Sequence, residues 1–426
     1  MCPGPVTEPD GPPDETPVKR IAVIGAGISG MAAAYYLSRK HEVSLFEKDE
    51  RLGGHTHTVT VDGLNIDTGF IVHNDRTYPN LIRLFAELGV ATGPSDMSFS
   101  VSSSQTGFEY SSRGLSGFFA QKRNLFSSQH YKLLREIMRF NKIAPTLEDP
   151  IPLGEYLARE NFDEIFLERY LYPMAGAVWS MSPDSIAQFP ALTLIRFFQN
   201  HGMLGINTHP QWKVVRGGSK QYVEPLIAPY VSRIYVNSKI DSILRTESEV
   251  TLQFADRPDM TFDDVVFACH GNQILPMLPA PTDAERDILG NFQTSRNEVC
   301  LHTDSSLLPK RQSARAAWNY NLRPDKRAQA ATVTYYMNRL QSLKEARTDY
   351  CVTLNANGQI NTSRVLRRFV YHHPLYTCEA IQAQSRWSEI SGRNRTHFAG
   401  AYWLYGFHED GLNSALRVAR ELGVNC

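Results

Sequence analysis

The stretch Arg20-Ile21-Ala22-Val23-Ile24-Gly25-Ala26-Gly27-Ile28-Ser29-Gly30 constrains the fold of this chain more than any other. Ile21 to Ile24 are apolar and rich in β-branched residues, the pattern of a strand buried on both faces of a parallel sheet. Gly25, Gly27 and Gly30 spell G-x-G-x-x-G, Met31 to Leu37 are good helix formers, and Glu42 to Phe46 read as a second strand. In such a unit the first glycine allows a tight turn and the second lets backbone approach a pyrophosphate. The third lets the helix pack closely on the strand, and the helix N-terminus faces the phosphates. Glu47 lies twenty residues past Gly27, at the end of the second strand. A carboxylate there accepts hydrogen bonds from ribose hydroxyls and argues against a 2′-phosphate. The expected fold class is therefore α/β, with a Rossmann-like dinucleotide site.

A second glycine signature follows the acid. Arg51-Leu52-Gly53-Gly54-His55 precedes a hairpin-like stretch that closes on Asp67-Thr68-Gly69-Phe70. Near the other end, Thr396-His397-Phe398-Ala399-Gly400-Ala401-Tyr402 leads into Gly406-Phe407-His408-Glu409-Asp410-Gly411-Leu412-Asn413. This reads as a strand, an aromatic loop and a helix opening at Gly411, whose backbone N–H groups would face the cofactor. Asp410 could equally be an ordinary cap of that helix. The first and last segments are expected to meet around one cofactor.

These motifs resemble the FAD-dependent amine oxidase superfamily, which includes monoamine oxidases, phytoene desaturases and protoporphyrinogen oxidase. The resemblance narrows at His73-Asn74-x-x-Thr77-Tyr78-Pro79-Asn80, Asp96-Met97-Ser98-Phe99-Ser100-Val101, Phe118-Phe119-Ala120-Gln121-Lys122, His209-Pro210-Gln211-Trp212 and Tyr405-Gly406-Phe407-His408-Glu409-Asp410-Gly411. Such strings are similar to those of bacterial NAD/FAD-binding proteins often encoded beside cyclopropane-fatty-acyl-phospholipid synthases, and to the flavoprotein-like N-terminal half of plant cyclopropane fatty acid synthases. One departure stands out: His55 replaces the usual arginine of the second glycine signature, making the charge there pH-dependent.

The resemblance implies a Rossmann-like FAD-binding domain of the GR2/amine-oxidase type with an inserted α+β substrate domain. Residues 19–70, 211–274 and 396–426 would form the FAD-binding domain, and 71–210 and 275–395 the substrate domain. The implied cofactor is FAD, held non-covalently because no cysteine aligns with the tethering position of monoamine oxidases. Its binding set begins with Gly25, Ala26, Gly27, Ile28, Ser29, Gly30, Glu47 and Lys48. It continues through Arg51, Gly53, Gly54, His55, Thr56, Gly69 and Phe70 to Gly400, Asp410, Gly411 and Leu412.

The implied substrate is an unsaturated, methylated or cyclopropanated acyl chain, and the implied partner a cyclopropane-fatty-acyl-phospholipid synthase-like methyltransferase. Two other readings stay open: a flavin amine oxidase releasing hydrogen peroxide, and an FAD-bearing partner subunit without turnover. The catalytic candidates are His408, Tyr405, Tyr402 and His73. His408 is the best placed for proton transfer because imidazole titrates near neutrality. The tyrosines have a structural alternative as packing and His408 as a histidine bonded to backbone, while His73 could reach the flavin's substrate side. Glu409 reads as a solvated acid beside a helix start.

Composition sets limits on partners. Lysine plus arginine and aspartate plus glutamate number 44 each, which gives no electrostatic footprint for nucleic acid. The six cysteines have neither C-x-x-C nor metal-ligand spacing, so no metal is expected and a reducing compartment is. Adjacent His372 and His373 on a strand would point to opposite faces. Residues 1–18 hold six prolines and four acids with no basic residue, so a disordered tail is expected and no signal peptide. No stretch is apolar enough to span a bilayer. A cytoplasmic location follows, with peripheral membrane contact open at residues 191–204.

Between the motifs, helices are expected at 80–88, over much of 128–170, and at 191–198 and 221–228. Strands are expected at 234–236, 240–245, 250–254, 264–269, 298–302, 331–337 and 350–354, with a hairpin in 95–112.

Overall fold

The computed structural model describes residues 17–205, 210–323 and 328–426. The expected tail over 1–18 lies outside them up to residue 16, as does His209 of the His209-Pro210-Gln211-Trp212 string.

Strand β1 (Arg20–Ile24) is central in a five-stranded parallel sheet with β2 (Glu42–Phe46), β3 (Ile234–Tyr235), β4 (Asp264–Phe267) and β5 (Thr396–Phe398). The order is β3-β2-β1-β4-β5, and β1 pairs β2 from Arg20↔Glu42 and β4 from Ile21↔Asp264. Neighbours on its two sides are thus reached in opposite directions, which leaves a crevice at the carboxyl ends of the strands. Strand alternation splits the apolar residues: Ile21, Val23, Val43, Leu45 and Val266 face one core. Ala22, Ile24, Phe46, Val265, Phe267 and Phe398 face another.

Helices α1 (Ile28–Leu37) and α5 (His408–Glu421) cover the first face, joined by α2 (Pro79–Glu87). The expected helix start at Gly411 is corrected to His408, because Phe407 N–H donates to Asp410 Oδ2 (2.9 Å) and so closes an earlier first turn.

The second face is covered by a three-stranded antiparallel sheet (242–262) and by helices at 283–289, 378–385 and 387–390. The sequence reading assigns residues 275–395, which carry those helices, to the substrate half. They pack here because Ile288, Ala380, Ala383 and Ile390 bury against Phe267 and Phe398.

A seven-stranded sheet forms most of the other half, in the order 365–374, 294–302, 351–354, 332–336, 318–321, 99–102, 109–111. Its one parallel pair, Trp318↔Phe99 onward, splices two distant parts of the chain. The strands at 318–321 and 365–374 are not anticipated from sequence. Arg367 and Arg368 interrupt the apolar pattern, which an edge strand tolerates.

Helices α3 (Ser128–Ile143) and α4 (Ala191–Asn200) belong to a helical unit with its own core. Phe197 (4% exposed) and Phe198 (0%) lie inside it, so of the two readings left open at 191–204 these rings fit the buried helix. No helix among the described residues is long and apolar enough to cross a membrane.

A buried ion pair ties the second face together. Arg245 donates to both carboxylate oxygens of Glu285 (2.5 and 3.0 Å) and to Thr396 Oγ1 of β5 (3.2 Å). Glu285 also accepts the Thr282 N–H that opens helix 283–289. Removing one member of such a pair strands a buried charge. Glu285→Ala is expected to lower unfolding free energy by about 3 to 5 kcal/mol in denaturant titration.

Candidate cofactor and active site

The turn after β1 depends on the missing side chain of Gly30: a Cβ there would sit 1.8 Å from the Gly25 carbonyl oxygen. Residue 27 caps α1 without any side-chain bond, and a Cβ added there meets nothing within 4 Å. Uncapped N–H groups of a helix first turn beside open space suit a phosphate. Gly411 packs on Ile28 and Ser29, where its added Cβ would be 2.8 Å from Ile28 Cγ2 and Ser29 Oγ. The first turns of α1 and α5 are therefore brought together, with Leu412 fully buried behind them.

Glu47 ends β2 with one carboxylate oxygen accepting Ala26 N–H (2.8 Å) and the other Asp49 N–H (3.0 Å). Lys48 beside it is exposed. Arg51 does not point outward; its guanidinium donates to the carbonyls of Leu52 (2.9 Å), Thr56 (2.8 Å) and Gly54 (2.6 Å). Gly53 N–H donates to Ala26 O (2.8 Å), and Gly54 at φ +56° lies against Gly27. The second glycine signature is thus folded onto the first.

His55 follows, and its ring nitrogen Nε2 is buried without a partner. Its ring lies 5.3 Å from His373, 5.2 Å from Tyr371 and 6.0 Å from His270. Burial and then the neighbouring His373 and His270 push its pKa well below the usual imidazole value. Burial therefore favours a neutral ring at the position where a pH-dependent charge is expected. His373 faces this cluster while His372 is exposed, and no group of three or more metal-ligating side chains occurs among the described residues. The open space before α1, its uncapped first turn and the orphaned His55 Nε2 fit a diphosphate-bearing cofactor with hydroxyl groups.

Beyond the glycine loops, Thr56, Tyr222 and His408 form a buried triangle. His408 Nε2 is 2.9 Å from Thr56 Oγ1 and 3.1 Å from the Tyr222 hydroxyl, and those two hydroxyls bond each other. The His408 ring stacks on Phe70 at 3.6 Å. Burial lowers its pKa to about 3, so it is held neutral. His73 is wholly buried, edge-on to Phe85 at 5.3 Å, with both ring nitrogens unpartnered. Burial, then Lys213, takes its pKa down to about 4. The two tyrosines separate. Tyr405 joins the aromatic wall of the helical unit, 5.9 Å from Phe197. Tyr402 lies on the opposite face of the sheet with Phe292 (4.8 Å) and Trp403 (5.3 Å), beneath Gly400.

Glu409, expected to be solvated, is 6% exposed and accepts the Asn80 and Leu81 N–H groups (3.0 and 2.8 Å) at the start of α2. Uncapped N–H groups of one helix are thus satisfied by an acid from another. Sequence reasoning missed Tyr222 and His270, which sit in no glycine signature, and gave no role to Asp67 of the Asp67-Thr68-Gly69-Phe70 string. Asp67 accepts from Ser219 N–H (2.8 Å) and Thr58 Oγ1 (2.5 Å), tying the second signature to the returning chain.

Asp410 is the site's most perturbed acid. Burial raises its pKa to about 7, with the Glu409 charge pushing the same way and the Phe407 N–H opposing. Its neutral form stabilises the fold fully below the unfolded carboxyl pKa of about 3.9, and that contribution is lost as pH rises through the folded value. Asp410→Asn keeps an acceptor for Phe407 N–H and removes the titration. Between about pH 5 and about pH 8, the apoprotein's loss of unfolding free energy is expected to exceed the variant's by about 2 to 3 kcal/mol.

The sequence profile described as flavin containing amine oxidoreductase matches residues 28–339. The protein named "Putative flavin-containing monoamine oxidase AofH" of Mycobacterium tuberculosis is 28% identical over 249 residues, 54% of this chain and 53% of that protein. A 4,4'-diapophytoene desaturase of Staphylococcus haemolyticus is 48% identical over 50 residues, 12% of this chain and 10% of that protein. The chain thus spans about half the length of the first of these relatives, and less of the second. A CLA-producing fatty acid isomerase from P. acnes shares the fold, with a TM-score of 0.70 over 94% of this chain and 98% of that one, at 16% identity. Because the profile runs through most of the chain, the protein belongs to the flavin-containing amine oxidoreductase family, and FAD is its cofactor.

Proposed function

We propose that this protein oxidises or desaturates a lipid acyl chain, the substrate being an unsaturated, methylated or cyclopropane fatty acid. The observation that carries the reading is an aromatic wall beside the site. Trp179 packs on Phe189 (4.7 Å) and Phe197 (4.8 Å), and Phe197 on Phe407 (5.0 Å) and Tyr405. Trp179, Phe189 and Phe197 are buried core, and the wall ends at the half-buried Tyr405 and Phe407, next to His408, which border the site with apolar rings of the kind that line a hydrocarbon site. That a protein of this fold isomerises a fatty acid, and that a partial relative is a desaturase of the hydrocarbon diapophytoene, supports a long apolar substrate.

FAD, when bound, supplies the hydride acceptor for oxidation of a C–H bond. In this reading Gly25 to Gly30 and the start of α1 hold the diphosphate, and Glu47 takes the ribose hydroxyls. Arg51 keeps Gly53, Gly54 and His55 in place, and Gly69, Phe70, Gly400, Asp410, Gly411 and Leu412 lie along the rest of the cofactor. His408 acts by position: a ring with its pKa near 3, bonded to Thr56 and Tyr222, holds a fixed polarity rather than a proton. Tyr405 orients the chain, His73 offers an unsatisfied ring toward the interior, and Tyr402 supports Gly400 from beneath. The division into an FAD-binding half (19–70, 211–274, 396–426) and a substrate half (71–210, 275–395) belongs to the same proposal. So does a cyclopropane-fatty-acyl-phospholipid synthase-like methyltransferase as the enzyme that supplies modified chains.

The similarity to a monoamine oxidase favours a second reading, oxidation of an amine with release of hydrogen peroxide. Anaerobic bleaching of the flavin absorbance separates the two. Methylated or unsaturated phospholipid is expected to bleach the holoprotein and simple amines are not. Bleaching by amines alone would replace the lipid reading, and a flavin that responds to neither would favour a partner subunit without turnover.

The Arg51 clamp gives a cofactor test. Charge-assisted bonds contribute about 1.5 to 3 kcal/mol each, and Arg51→Ala removes three that shape the loop rather than touch the cofactor. The apparent FAD Kd is expected to rise at least about ten-fold, read by flavin fluorescence titration of the apoprotein.

A further inference from the structure

Residues 113–135 carry five basic side chains, Arg113, Lys122, Arg123, Lys132 and Arg135, and no acid. The same region turns large apolar side chains to solvent: Leu115 (78% exposed), Leu125 (46%), Phe126 (92%), Tyr131 (48%) and Met138 (58%). Single exposed leucines are ordinary, but a contiguous group with a phenylalanine almost fully in water is not.

The group is one surface. Helix α3 buries Leu133 and Phe140 and presents Tyr131, Arg135, Met138 and Lys142 at helical spacing on its outer stripe. The Tyr131 hydroxyl donates to Leu125 O (3.1 Å), and its ring lies 5.8 Å from Phe119, so helix and preceding turn are joined. Beneath them His130 stacks near Phe118 (4.2 Å) and bonds its carbonyl (2.8 Å), which fixes the turn that carries Phe126.

Three of the acids nearby are matched, and Glu164 is exposed. Glu109 is bound by Arg311 and by Lys310 N–H, Glu136 by Arg139, and Asp163 by Lys132. Lys122, Arg123 and Lys142 take part in no ion pair among the described residues. An apolar tip ringed by free cations is complementary to an anionic lipid surface, where each basic residue near the headgroups adds attraction and the apolar side chains enter the acyl boundary.

We propose that this face docks the protein on an anionic lipid bilayer, with Leu125 and Phe126 entering the headgroup layer and Lys122, Arg123, Arg135 and Lys142 against lipid phosphates. The surface deepens the acyl-lipid reading and takes its purpose from it. The opposite side of α3 packs Ile137 and Ile143 into the core that contains Trp179 and Phe197, so the aromatic wall and the docking face share one helical unit.

The test uses the full-length holoprotein and co-sedimentation with vesicles of saturated phosphatidylcholine, alone or with about one-third saturated phosphatidylglycerol. Saturated, unmodified chains keep docking separate from turnover, so a negative result here leaves the flavin-bleaching test of substrate class intact. Wild type is expected to pellet with the anionic vesicles at low salt and far less with the neutral ones. Phe126→Asp and the double variant Lys122→Glu/Arg123→Glu should each lower partitioning about ten-fold. These side chains are exposed, and unchanged thermal melts would confirm folding. Wild type remaining in the supernatant with anionic vesicles would overturn the proposal. So would variants that bind like wild type, or a self-association abolished by Phe126→Asp while vesicle binding stays unchanged.

Discussion

The contact between α1 and the turn after β1 is the constraint on which the rest of the architecture depends. At Gly30 the helix comes so close to the Gly25 carbonyl that no side-chain carbon fits. That approach sets where the first turn of α1 lies relative to the sheet, and Gly411 then lets α5 rest on Ile28 and Ser29. Chain segments nearly 400 residues apart therefore meet through positions where side chains are absent. Arg51 adds the third element, gathering three carbonyls of the second glycine signature so that Gly53 and Gly54 lie against the first. Attraction is modest at each of these points. Steric room is what decides them.

Bringing distant segments together buries polar groups, and the fold satisfies most of them with backbone N–H groups at element ends. Glu409 of α5 closes the start of α2, Asp410 closes its own helix, and Asp67 holds the turn at Ser219. Glu409 and Asp67 each link two elements that the chain reaches separately, so loss of the acid would leave a donor as well as a gap. The histidines follow the opposite logic. His55, His73 and His408 are kept neutral by burial, and His55 and His73 retain unpartnered nitrogens. Those orphaned atoms mark where the protein is polar without being self-satisfied, as expected of a site built for something else to enter.

Overall charge balance conceals local asymmetry. Acidic and basic residues are equal in number, yet Glu109, Glu136 and Asp163 around α3 are ion-paired while Lys122, Arg123 and Lys142 take part in no ion pair among the described residues. Apolar surface is distributed in a similar way. The aromatic residues of α4 that look membrane-seeking in sequence fill the helical core, whereas Phe126, in a short turn with no amphipathic signature, is exposed.

What the sequence determined by itself was local. The alternation in β1, the glycine spacing, the acid at the end of β2 and the aromatic loop before α5 each report backbone conformation within a few residues. Short-range sterics and periodicity govern these features. The family, the cofactor and the sheet that carries them followed from that. Direction and partnership were decided only by the tertiary structure. Tyr402 and Tyr405 are three residues apart, yet one faces the core under the sheet and the other the helical unit. Glu409 looks solvated until α2 arrives to be capped. Strand 318–321 is held between strands 99–102 and 332–336, one of them more than 200 residues away. Such outcomes depend on which surface a remote segment brings, and in this chain the free energy of burial and hydrogen bonding is shared between residues too distant in sequence for any local pattern to record.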